Sequence, residues 1–407
     1  MSASTRSTLF SLPVVALLAS GCGNLNEKGD CGGWRRTPHC NPPGGTDAGE
    51  THLPSADGPA ASRADAVRAG QTAEVEPADA RETGVEQADA GADDQAGGET
   101  GGAGGTAAGG SSGTGGALAV AKFVGNIDTS RSIRPDFATY WNQFTPENAG
   151  KWGSVQRSGP DTFTWSSLDA MYQYCTDHNI IFKQHNFIWG SQQPSWTSSL
   201  TTDTGPAAVQ NWMSSFCQRY PNVRLIDVVN EPPPHTSPAY ADAIGGGTDS
   251  TWDWIINAFK WAHEACPNAL LILNDYSNAE DTSTAQHDVD IVNALKAAGA
   301  PIHGVGCQAH DAANTATSTL QANIDMIARS TGLPVYITEY DIDTADDAEQ
   351  LRIMQDELTM FWTNENIKGI TLWGYVVGHT WRANTGLVQD DGTMRPAMTW
   401  LMSYLGR

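Results

Sequence analysis

The sequence predicts an α/β protein whose folded part is a TIM (β/α)8 barrel, preceded by a signal or lipoprotein segment and a disordered Gly/Ala/Asp-rich tether. Eight short apolar runs lie between residues 117 and 407, and near-continuous Val/Ile/Leu runs are typical of parallel strands buried on both faces. Each run ends on a residue that can contact a polar ligand, and the carboxyl ends of the strands form the open rim of such a barrel. Residues 117–407 are long enough for one barrel of this kind and too short for two.

The eight runs follow one another in the order expected of strands that alternate with helices. In the first half they are KFVGNI ending at Asn126, NQFTPEN at Glu147 and Asn148, IIFKQHNF leading to His185 and Trp189, and LIDVVNE at Asn230 and Glu231. In the second half they are LLILNDY ending at Asp275 and Tyr276, IHGVGCQAH at Gln308 and His310, PVYITEYD at Glu339, and IKGITLW at Trp373. Because closure of a barrel brings all strand ends to one mouth, we expect these side chains to meet there.

The chain before residue 117 divides into two segments by composition. Residues 1–21 contain Arg6 and an apolar stretch over 9–19, followed by small residues before Cys22, which is typical of a lipoprotein signal peptide with Cys22 as the lipidated residue. Ordinary signal cleavage with a secreted product is the alternative. Residues 22–116 are mostly Gly, Ala, Asp, Glu, Thr and Ser, a composition that cannot offset the entropy of ordering and predicts a disordered acidic tether. We therefore expect an exported protein, on the cell surface or outer membrane through a lipid anchor, otherwise secreted.

The charge of the chain excludes one class of partner. The formal net charge is −23 and no cluster of Lys and Arg is present, whereas binding to nucleic acid depends on such clusters. A neutral or weakly charged substrate fits better. The sequence also lacks a CxxC pair and an HExxH motif, so we expect neither a metal site of standard spacing nor a cofactor. We expect the protein to act as a monomer.

Export makes disulfide bonds possible in the barrel. Cys175, Cys217 and Cys266 fall in predicted helices, so one disulfide and one free thiol are expected, with the pairing left open. Cys307 lies inside the sixth run and is expected to be a buried small apolar residue.

The central pair of candidate residues is Glu231 and Glu339, which end the fourth and seventh runs. Two carboxyl groups facing each other across a cleft can break a glycosidic bond, one as the acid and the other as the nucleophile or the activator of water. Taken singly, either glutamate could be a structural acid in an ion pair. Asn230 beside Glu231 would place an amide at the sugar's 2-hydroxyl, and His310 is placed to orient a nucleophile at Glu339. The combination favours function.

Tryptophan supplies a second signal for carbohydrate. Sugar rings present CH faces, so carbohydrate sites use aromatic platforms, and Trp189, Trp373 and Trp381 lie at or near strand ends. Other tryptophans in helix-like segments are expected to be core residues, namely Trp212, Trp252, Trp254, Trp261 and Trp400.

Seven segments together resemble the successive signatures of glycoside hydrolase family 10, the retaining endo-β-1,4-xylanases. They are TPENAGKW, FKQHNFIWGSQQPSW, DVVNEP, LNDY, VGCQAH, VYITEYDID, and ITLWG followed by TWR. The resemblance covers essentially all of residues 120–405. It implies a TIM-type barrel with Glu231 as acid/base and Glu339 as nucleophile. It also implies a cis peptide bond between His185 and Asn186.

The resemblance further implies which residues surround each sugar. The sugar two places to the non-reducing side of the cut would be held by Glu147, Asn148, Lys151 and Gln192. The sugar at the cut itself would be surrounded by His185, Trp189, Asn230, Gln308, His310, Trp373 and Trp381. Tyr276 matches an aromatic residue on the leaving-group side.

The chain departs from the family pattern at several positions. Gly190 stands where His is commoner, Tyr340 follows the nucleophile position where Leu is usual, and VVGHTWR replaces an acidic run before Trp381. The proline-rich loop PPPHTSPAY follows Glu231 on the leaving-group side. We expect these changes to affect the leaving-group subsites and not the chemistry.

The expected function is therefore endo-acting hydrolysis of β-1,4-xylosidic linkages in xylan, with xylan or xylo-oligosaccharides as substrate. One alternative is a retaining β-1,4-glucanase, which differs in having room for the hydroxymethyl group of glucose. A second alternative is a non-catalytic surface glycan-binding lipoprotein built on the same barrel. Rates on xylan and carboxymethylcellulose separate the first two, and binding without release of reducing sugar would indicate the third.

Overall fold

The structure is a computed structural model that describes residues 120–248 and 250–407. The predictions of a signal peptide at 1–21, of lipidation at Cys22 and of a tether at 22–116 all lie outside the described residues. No helix within the described ranges is long and apolar enough to cross a membrane.

Eight parallel strands form a closed barrel in which each strand pairs with the next in the chain and β8 pairs with β1. The strands are β1 Phe123–Ile127, β2 Gln143–Thr145, β3 Ile181–Trp189, β4 Leu225–Asn230, β5 Leu270–Asp275, β6 Gly304–Cys307, β7 Val335–Tyr340 and β8 Ile367–Leu372. All eight predicted runs are strands, and the predicted TIM barrel is confirmed. The cis peptide bond between His185 and Asn186 is also present.

Helices connect the strands and cover the outside of the barrel. In the described ranges they are α1 Phe137–Tyr140, α2 Trp152–Val155, α3 Ser166–Asp177, α4 Gly205–Arg219, α5 Asp253–Ala265, α6 Thr282–Ala297, α7 Thr317–Thr331, α8 Asp347–Thr363 and α9 Pro396–Leu405. Their ends follow local chemistry. The Asp281 carboxylate accepts from Thr284 N at the start of α6, because the first turn of a helix leaves N–H groups without partners. Gly332 ends α7 with φ 68°, a left-handed conformation that glycine adopts without strain.

Two hydrophobic clusters form the core. The larger one lies between strands and helices and contains Trp212 and Trp254 as fully buried side chains, with Trp252, Trp261 and Trp400 packed partly buried against it. These five tryptophans are core residues, as predicted. The smaller cluster joins side chains from four strands, Phe123, Leu225, Ile272 and Tyr336.

The smaller cluster is so tight that one neighbouring position must be glycine. A Cβ on Gly369 of β8 would lie 2.1 Å from Cζ of Phe123. The residues of this cluster lie near the amino ends of their strands. The polar residues lie nearer the carboxyl ends. The barrel is therefore closed at one end by apolar packing, and its chemistry is confined to the other.

One disulfide bond joins Cys217, near the end of α4, to Cys266, directly after α5. Cys175 and Cys307 are free and buried. The prediction of one disulfide and one free thiol among Cys175, Cys217 and Cys266 is confirmed, as is the burial of Cys307 in β6. The structure adds the pairing, which the sequence left open.

Candidate active site

The two glutamates lie on the carboxyl rim of the barrel. Glu231 is the first residue after β4 and has φ 51°, and its backbone N–H donates to the carbonyl of Asn274 at 2.8 Å. Glu339 lies within β7, its side chain is 4% exposed, and its N–H donates to the carbonyl of Gln308 at 3.1 Å. Glu231 is half-buried. One carboxylate is therefore enclosed by the barrel and the other is open to solvent.

Amide side chains link the two carboxylates. Nδ2 of Asn274 donates to Oε1 of Glu339 at 2.8 Å and to Oδ1 of Asn230 at 2.7 Å. Nδ2 of Asn230 donates to Oε1 of Glu231 at 3.3 Å, and Nε2 of Gln308 donates to the same oxygen at 3.2 Å. Nε1 of Trp189 donates to the other oxygen of Glu231 at 2.9 Å. Both carboxylates are thus held in one network that crosses the mouth of the barrel.

The surroundings of Glu339 keep it ionised. Burial by itself raises the pKa of a carboxyl group. Here the electrostatic interaction with His185, the hydrogen bond and charge of His310, and the charge of Lys183 outweigh burial and lower the pKa of Glu339 to about 2. An ionised, buried and immobilised carboxylate has the properties of a nucleophile.

His310 is held between two carboxylates. Its Nε2 lies 3.3 Å from Oε2 of Glu339, and its Nδ1 lies 3.0 Å from Oδ2 of Asp341. Burial lowers the pKa of His310, but the hydrogen bonds and charges of Asp341 and Glu339 outweigh it and raise the pKa to about 9. His310 is therefore a cation at neutral pH that donates to both partners.

A buried ion pair lies deeper in the barrel. Nζ of Lys183 lies 2.8 Å from Oδ2 of Asp227, which also contacts Nδ1 of His185 at 2.9 Å. The side chains of Lys183 and Asp227 are 2% and 0% exposed. Because Lys183 holds Asp227 in place, the contact of Asp227 with Nδ1 fixes the orientation of His185, which interacts electrostatically with Glu339.

A second polar cluster lies on the rim beside β2 and β3. Nζ of Lys151 donates to Oδ1 of Asn148 at 3.0 Å and to Oε1 of Gln192 at 2.6 Å. The same ammonium group lies 4.8 Å from the centre of the Trp189 ring, a cation–π contact. Burial and the charge of Asp128 raise the pKa of neighbouring Glu147. These residues form a hydrogen-bonding surface on one side of Glu231.

Two tryptophans, at the end of β8 and in the following loop, lie beside the two site histidines. Trp373 is 5% exposed and stands edge-on to His185, with ring centres 5.2 Å apart. Trp381 is 52% exposed, its Nε1 donates to Oδ2 of Asp341 at 2.6 Å, and the guanidinium of Arg382 lies 4.5 Å from its ring centre. A large exposed indole that is held in place by Asp341 and Arg382 is suited to stack on a sugar ring.

Tyr276 is paired with a residue from the proline-rich loop. The ring of His235 lies parallel to that of Tyr276, with centres 3.8 Å apart and 14° between planes. Nδ1 of His235 lies 2.8 Å from Oδ1 of Asp275. Burial lowers the pKa of His235, while burial and the charge of Glu231 raise the pKa of Asp275. The two stacked rings form one platform.

The predicted site residues within the described ranges are linked to the two glutamates by hydrogen bonds, ring contacts or electrostatic interactions, directly or through a neighbour. Their individual roles stay predictions. Five further residues of the site were not predicted from the sequence: Asn274, Asp341, Asp227, Lys183 and His235. Asn274 lies inside the fifth run and Asp341 two positions after Glu339, so their positions could have drawn attention. Lys183, Asp227 and His235 carried no local signal. No group of three or more His, Cys, Asp or Glu side chains suited to a metal ion occurs in residues 120–248 and 250–407.

Comparison with known proteins identifies the family. The model of glycosyl hydrolase family 10 matches residues 106–404. This chain belongs to that family.

Three relatives illustrate the similarity of this family 10 chain. Endo-1,4-beta-xylanase B of Cellvibrio japonicus is 43% identical over 288 residues, which cover 70% of this chain and 46% of that protein. The chain thus spans about half the length of this curated relative. The structure of a family 10 protein from Paenibacillus barcinonensis matches with a TM-score of 0.63 at 22% identity, covering 70% of this chain and 95% of that one. Xylanase 10C of Cellvibrio japonicus, solved in complex with xylopentaose, matches with a TM-score of 0.61 at 21% identity and covers 71% and 68%.

The structural similarities support the family 10 fold and add nothing about individual side chains at these identities. Membership in the family and the geometry of the rim are therefore separate observations. The two observations agree. The family is one of glycosyl hydrolases, and this chain has a pair of carboxylates in a shared hydrogen-bond network at the open end of its barrel.

Proposed function

We propose that this family 10 chain is an endo-1,4-β-xylanase that cleaves β-1,4-xylosidic linkages with retention of configuration. The observation that carries the proposal is the linkage of Glu231 and Glu339 through Asn230 and Asn274. One glutamate is enclosed and ionised, and the other is half-buried on the solvent side. That asymmetry matches the two tasks of the carboxyl groups in a double displacement.

In the first step, Glu339 attacks the anomeric carbon while Glu231 protonates the departing glycosidic oxygen. The bond to that oxygen breaks and an ester bond to Glu339 forms. In the second step, Glu231 takes a proton from water, the water oxygen attacks the anomeric carbon, and Glu339 is released as a carboxylate. The donors that hold Oε1 and Oε2 of Glu231 keep its carboxyl group aimed at one position throughout.

The binding residues follow from this assignment. Lys151, Asn148, Gln192 and Glu147 would bind the sugar two places to the non-reducing side. The sugar at the cut would lie among His185, Trp189, Asn230, Gln308, His310, Trp373 and Trp381, and Tyr276 would face the leaving group. The relatives named as xylanases support xylan as the substrate. A glucan would need space for a hydroxymethyl group on each sugar. The residues that would have to leave that space are Lys151, Gln192, Trp373 and Trp381.

The assignment of roles is tested with two variants and one external nucleophile. Glu339→Ala and Glu231→Ala are assayed on an aryl β-xylobioside with and without azide, with linear xylan as a second substrate. Without azide, both lower turnover on xylan by orders of magnitude. Azide in Glu339→Ala attacks in place of the missing carboxylate and yields the α-glycosyl azide. Azide in Glu231→Ala attacks the glycosyl–enzyme ester and yields the β-glycosyl azide.

The azide products decide between outcomes. The α-glycosyl azide from Glu339→Ala together with the β-glycosyl azide from Glu231→Ala supports the proposed roles. The β-azide from Glu339→Ala and the α-azide from Glu231→Ala would exchange the roles of the two glutamates. Full hydrolysis of xylan by Glu339→Ala would remove the proposal. Thermal unfolding of each variant serves as the control for folding. Faster hydrolysis of carboxymethylcellulose than of xylan by the wild type would favour the glucanase, and xylan binding without products would favour a binding protein.

The export of this domain is a separate proposal that rests on sequence alone. We infer that residues 1–21 direct export, that Cys22 carries the lipid, and that residues 22–116 tether a barrel beginning near residue 117. Activity should then sediment with membranes in the wild type and move to the soluble fraction in Cys22→Ala. Soluble activity from both forms would contradict the lipid anchor. Size-exclusion chromatography with light scattering tests the expected monomer.

A further inference from the structure

Two buried aspartates behind the rim take no part in the chemistry proposed above. Asp275 is the last residue of β5 and Asp288 lies in α6. They are 1% and 0% exposed. Aspartate is almost never fully buried unless it is paired, because a buried charge without partners is very unfavourable.

Each of the two carboxyl groups has one oxygen with an ordinary hydrogen-bond partner. Nδ1 of His235 lies 2.8 Å from Oδ1 of Asp275, and the backbone N–H of Tyr276 donates to the same oxygen at 2.9 Å. Nδ2 of Asn278 donates to Oδ2 of Asp288 at 2.7 Å. The other two oxygens, Oδ2 of Asp275 and Oδ1 of Asp288, are buried, and no N–H group or hydroxyl in the described part of the chain donates to them.

The two carboxyl groups hydrogen-bond to each other. An ionised carboxylate can only accept, so this bond requires a proton on one of the two groups. Burial raises the pKa of both aspartates well above the ordinary value. The bond between them raises the pKa of Asp288 further and lowers that of Asp275, which also accepts from Tyr276. Asp288 is therefore the acid that donates, and Asp275 is the carboxylate that accepts.

The surroundings of the pair do not favour a second negative charge. The titratable groups that act on one or both aspartates are Glu231 and His235 from the end of β4 and the loop after it, Tyr276 and Glu280 from the loop after β5, His287 from α6, and Cys307 from β6. The charges of Glu231 and Glu280 raise the pKa of Asp275. The charge of His287 lowers the pKa of Asp288, but burial and the charge of Asp275 outweigh it.

The pair reaches the catalytic rim through Asp275. This carboxylate contacts the side chain of His235 and the backbone of Tyr276, and the two rings stack with centres 3.8 Å apart. The charge of Glu231 acts on all three residues. A change at Asp288 would therefore reach the candidate acid/base by way of Asp275.

We propose that Asp288 holds one proton at neutral pH and shares it with Asp275, and that this shared proton keeps His235 and Tyr276 in place near Glu231. Asp288 is then a positioning residue that acts through Asp275. Its effect on hydrolysis rests on the proposed xylanase function, whereas the shared proton itself does not.

The test uses two variants of Asp288 and one control. The amide of Asp288→Asn can donate to Asp275 without a titratable proton, and it leaves the charge of the pair unchanged. Asp288→Leu keeps a side chain of similar length but removes the donor. Asp290→Asn is the matched control, because Asp290 is exposed on the same helix and its carboxylate accepts from Gln286.

Infrared spectroscopy detects the proton directly. Protein labelled with isotopic aspartate should show the C=O stretch of a protonated aspartic acid at about pH 7, which lies far above the ordinary aspartate pKa. The label separates this band from those of glutamic acids. The band should be present in the wild type and in Asp290→Asn and absent in Asp288→Asn.

Urea unfolding measures the same proton by linkage. Because the folded-state pKa of Asp288 is raised, the folded protein keeps a proton that the unfolded chain has released above about pH 5, so the associated stability is lost as the pH rises. The ratio of the unfolding constant of the wild type to that of Asp288→Asn should therefore rise about tenfold for each pH unit between about pH 5 and 7. The corresponding ratio with Asp290→Asn should stay constant.

Activity on linear xylan tests the positioning role. Asp288→Leu should lower kcat/KM by about tenfold, because a hydrogen bond to the Asp275 carboxylate is lost. Asp288→Asn should keep about half or more of the wild-type value, since its amide replaces the donor. Thermal unfolding checks that each variant is folded.

Four results would overturn the inference. They are the absence of the infrared band from the wild type, a constant ratio of unfolding constants for Asp288→Asn, wild-type kcat/KM in a folded Asp288→Leu protein, or equal losses in the two variants. If Asp288→Leu does not fold, the infrared and urea comparisons of the wild type with Asp288→Asn still decide. Failure of the wild type to hydrolyse xylan would overturn the proposed function and leave those two comparisons standing.

Discussion

Nδ2 of Asn274 on β5 lies 2.8 Å from Oε1 of Glu339 on β7, although β6 separates the two strands. Gly306 of β6 makes the contact possible, because a Cβ there would lie 2.3 Å from Oδ1 of Asn274 and 3.0 Å from Cγ2 of Thr338. Thr338 in turn donates to Oδ1 of Asn274 at 2.6 Å. Because Gly306 on β6 has no side chain, Asn274 on β5 can reach across that strand and position Glu339, the candidate nucleophile on β7.

Asn274→Ala is expected to lower kcat on xylan by roughly 10- to 100-fold, since a hydrogen bond to a charged group contributes about 1.5–3 kcal/mol. Asn274→Asp is a matched variant of the same size, which would place a second negative charge beside Glu339 and should be impaired at least as much. Steady-state kinetics with thermal unfolding measure both. Wild-type kcat in a folded Asn274→Ala protein would show that this amide does not position Glu339.

His310→Asn is expected to move the acidic limb of the pH profile of kcat/KM to higher pH. Loss of the hydrogen bond and charge of His310 raises the pKa of Glu339 from about 2 toward its ordinary value of 4.5. Because the folded-state pKa is depressed, ionised Glu339 contributes stability above about pH 4.5, and this contribution is lost as the pH falls through about 2. Unfolding by urea at pH 2 to 6 should follow the same window. An unmoved acidic limb in the variant would contradict this account.

Asp341→Asn is expected to lower the pKa of His310, which the wild-type carboxylate helps to raise to about 9. With a raised folded-state pKa, protonated His310 contributes stability that is complete below about 6.5 and is lost as the pH rises through about 9. The titration of the His310 imidazole, followed by NMR, should therefore move to lower pH in the variant. The amide oxygen still accepts from Trp381, so KM at the pH optimum should change less than kcat.

The control for this variant is Asp356→Asn, which removes an exposed carboxylate that pairs with Arg352 on α8. It should keep the wild-type titration of His310. If both variants shift that titration equally, the effect comes from net charge and not from the contact between Asp341 and His310.

Cys217→Ala/Cys266→Ala is expected to unfold with a free energy about 3–4 kcal/mol lower than that of the oxidised wild type. The bond closes a loop of 49 residues, and cross-linking such a loop restricts the unfolded chain. Urea unfolding of both proteins with and without reductant measures the difference. Reductant should destabilise the wild type and leave the double variant unchanged; equal stability of the two oxidised proteins would show that the disulfide adds nothing.

Much of the site followed from the sequence because strand ends converge in a barrel. Glu231 and Glu339 could be named from two apolar runs ending on carboxylates, and Tyr276 and Trp373 from similar positions. Lys183 and Asp227 could not, because predicting a buried ion pair between two neighbouring strands requires knowing which side of each strand faces inward. His235 lies in an irregular loop, where no repeating pattern predicts the direction of a side chain.

The sequence by itself determined the barrel and its polar rim, because the apolar runs, their order along the chain and the polar residues at their ends can all be read locally. Which groups touch was decided only by the tertiary structure. The contact of Asn274 with Glu339 depends on the register of three strands and on Gly306 between two of them. The stack of His235 on Tyr276 and the pairing of Cys217 with Cys266 depend likewise on distances set by the whole folded barrel, because residues far apart in sequence meet only after it closes.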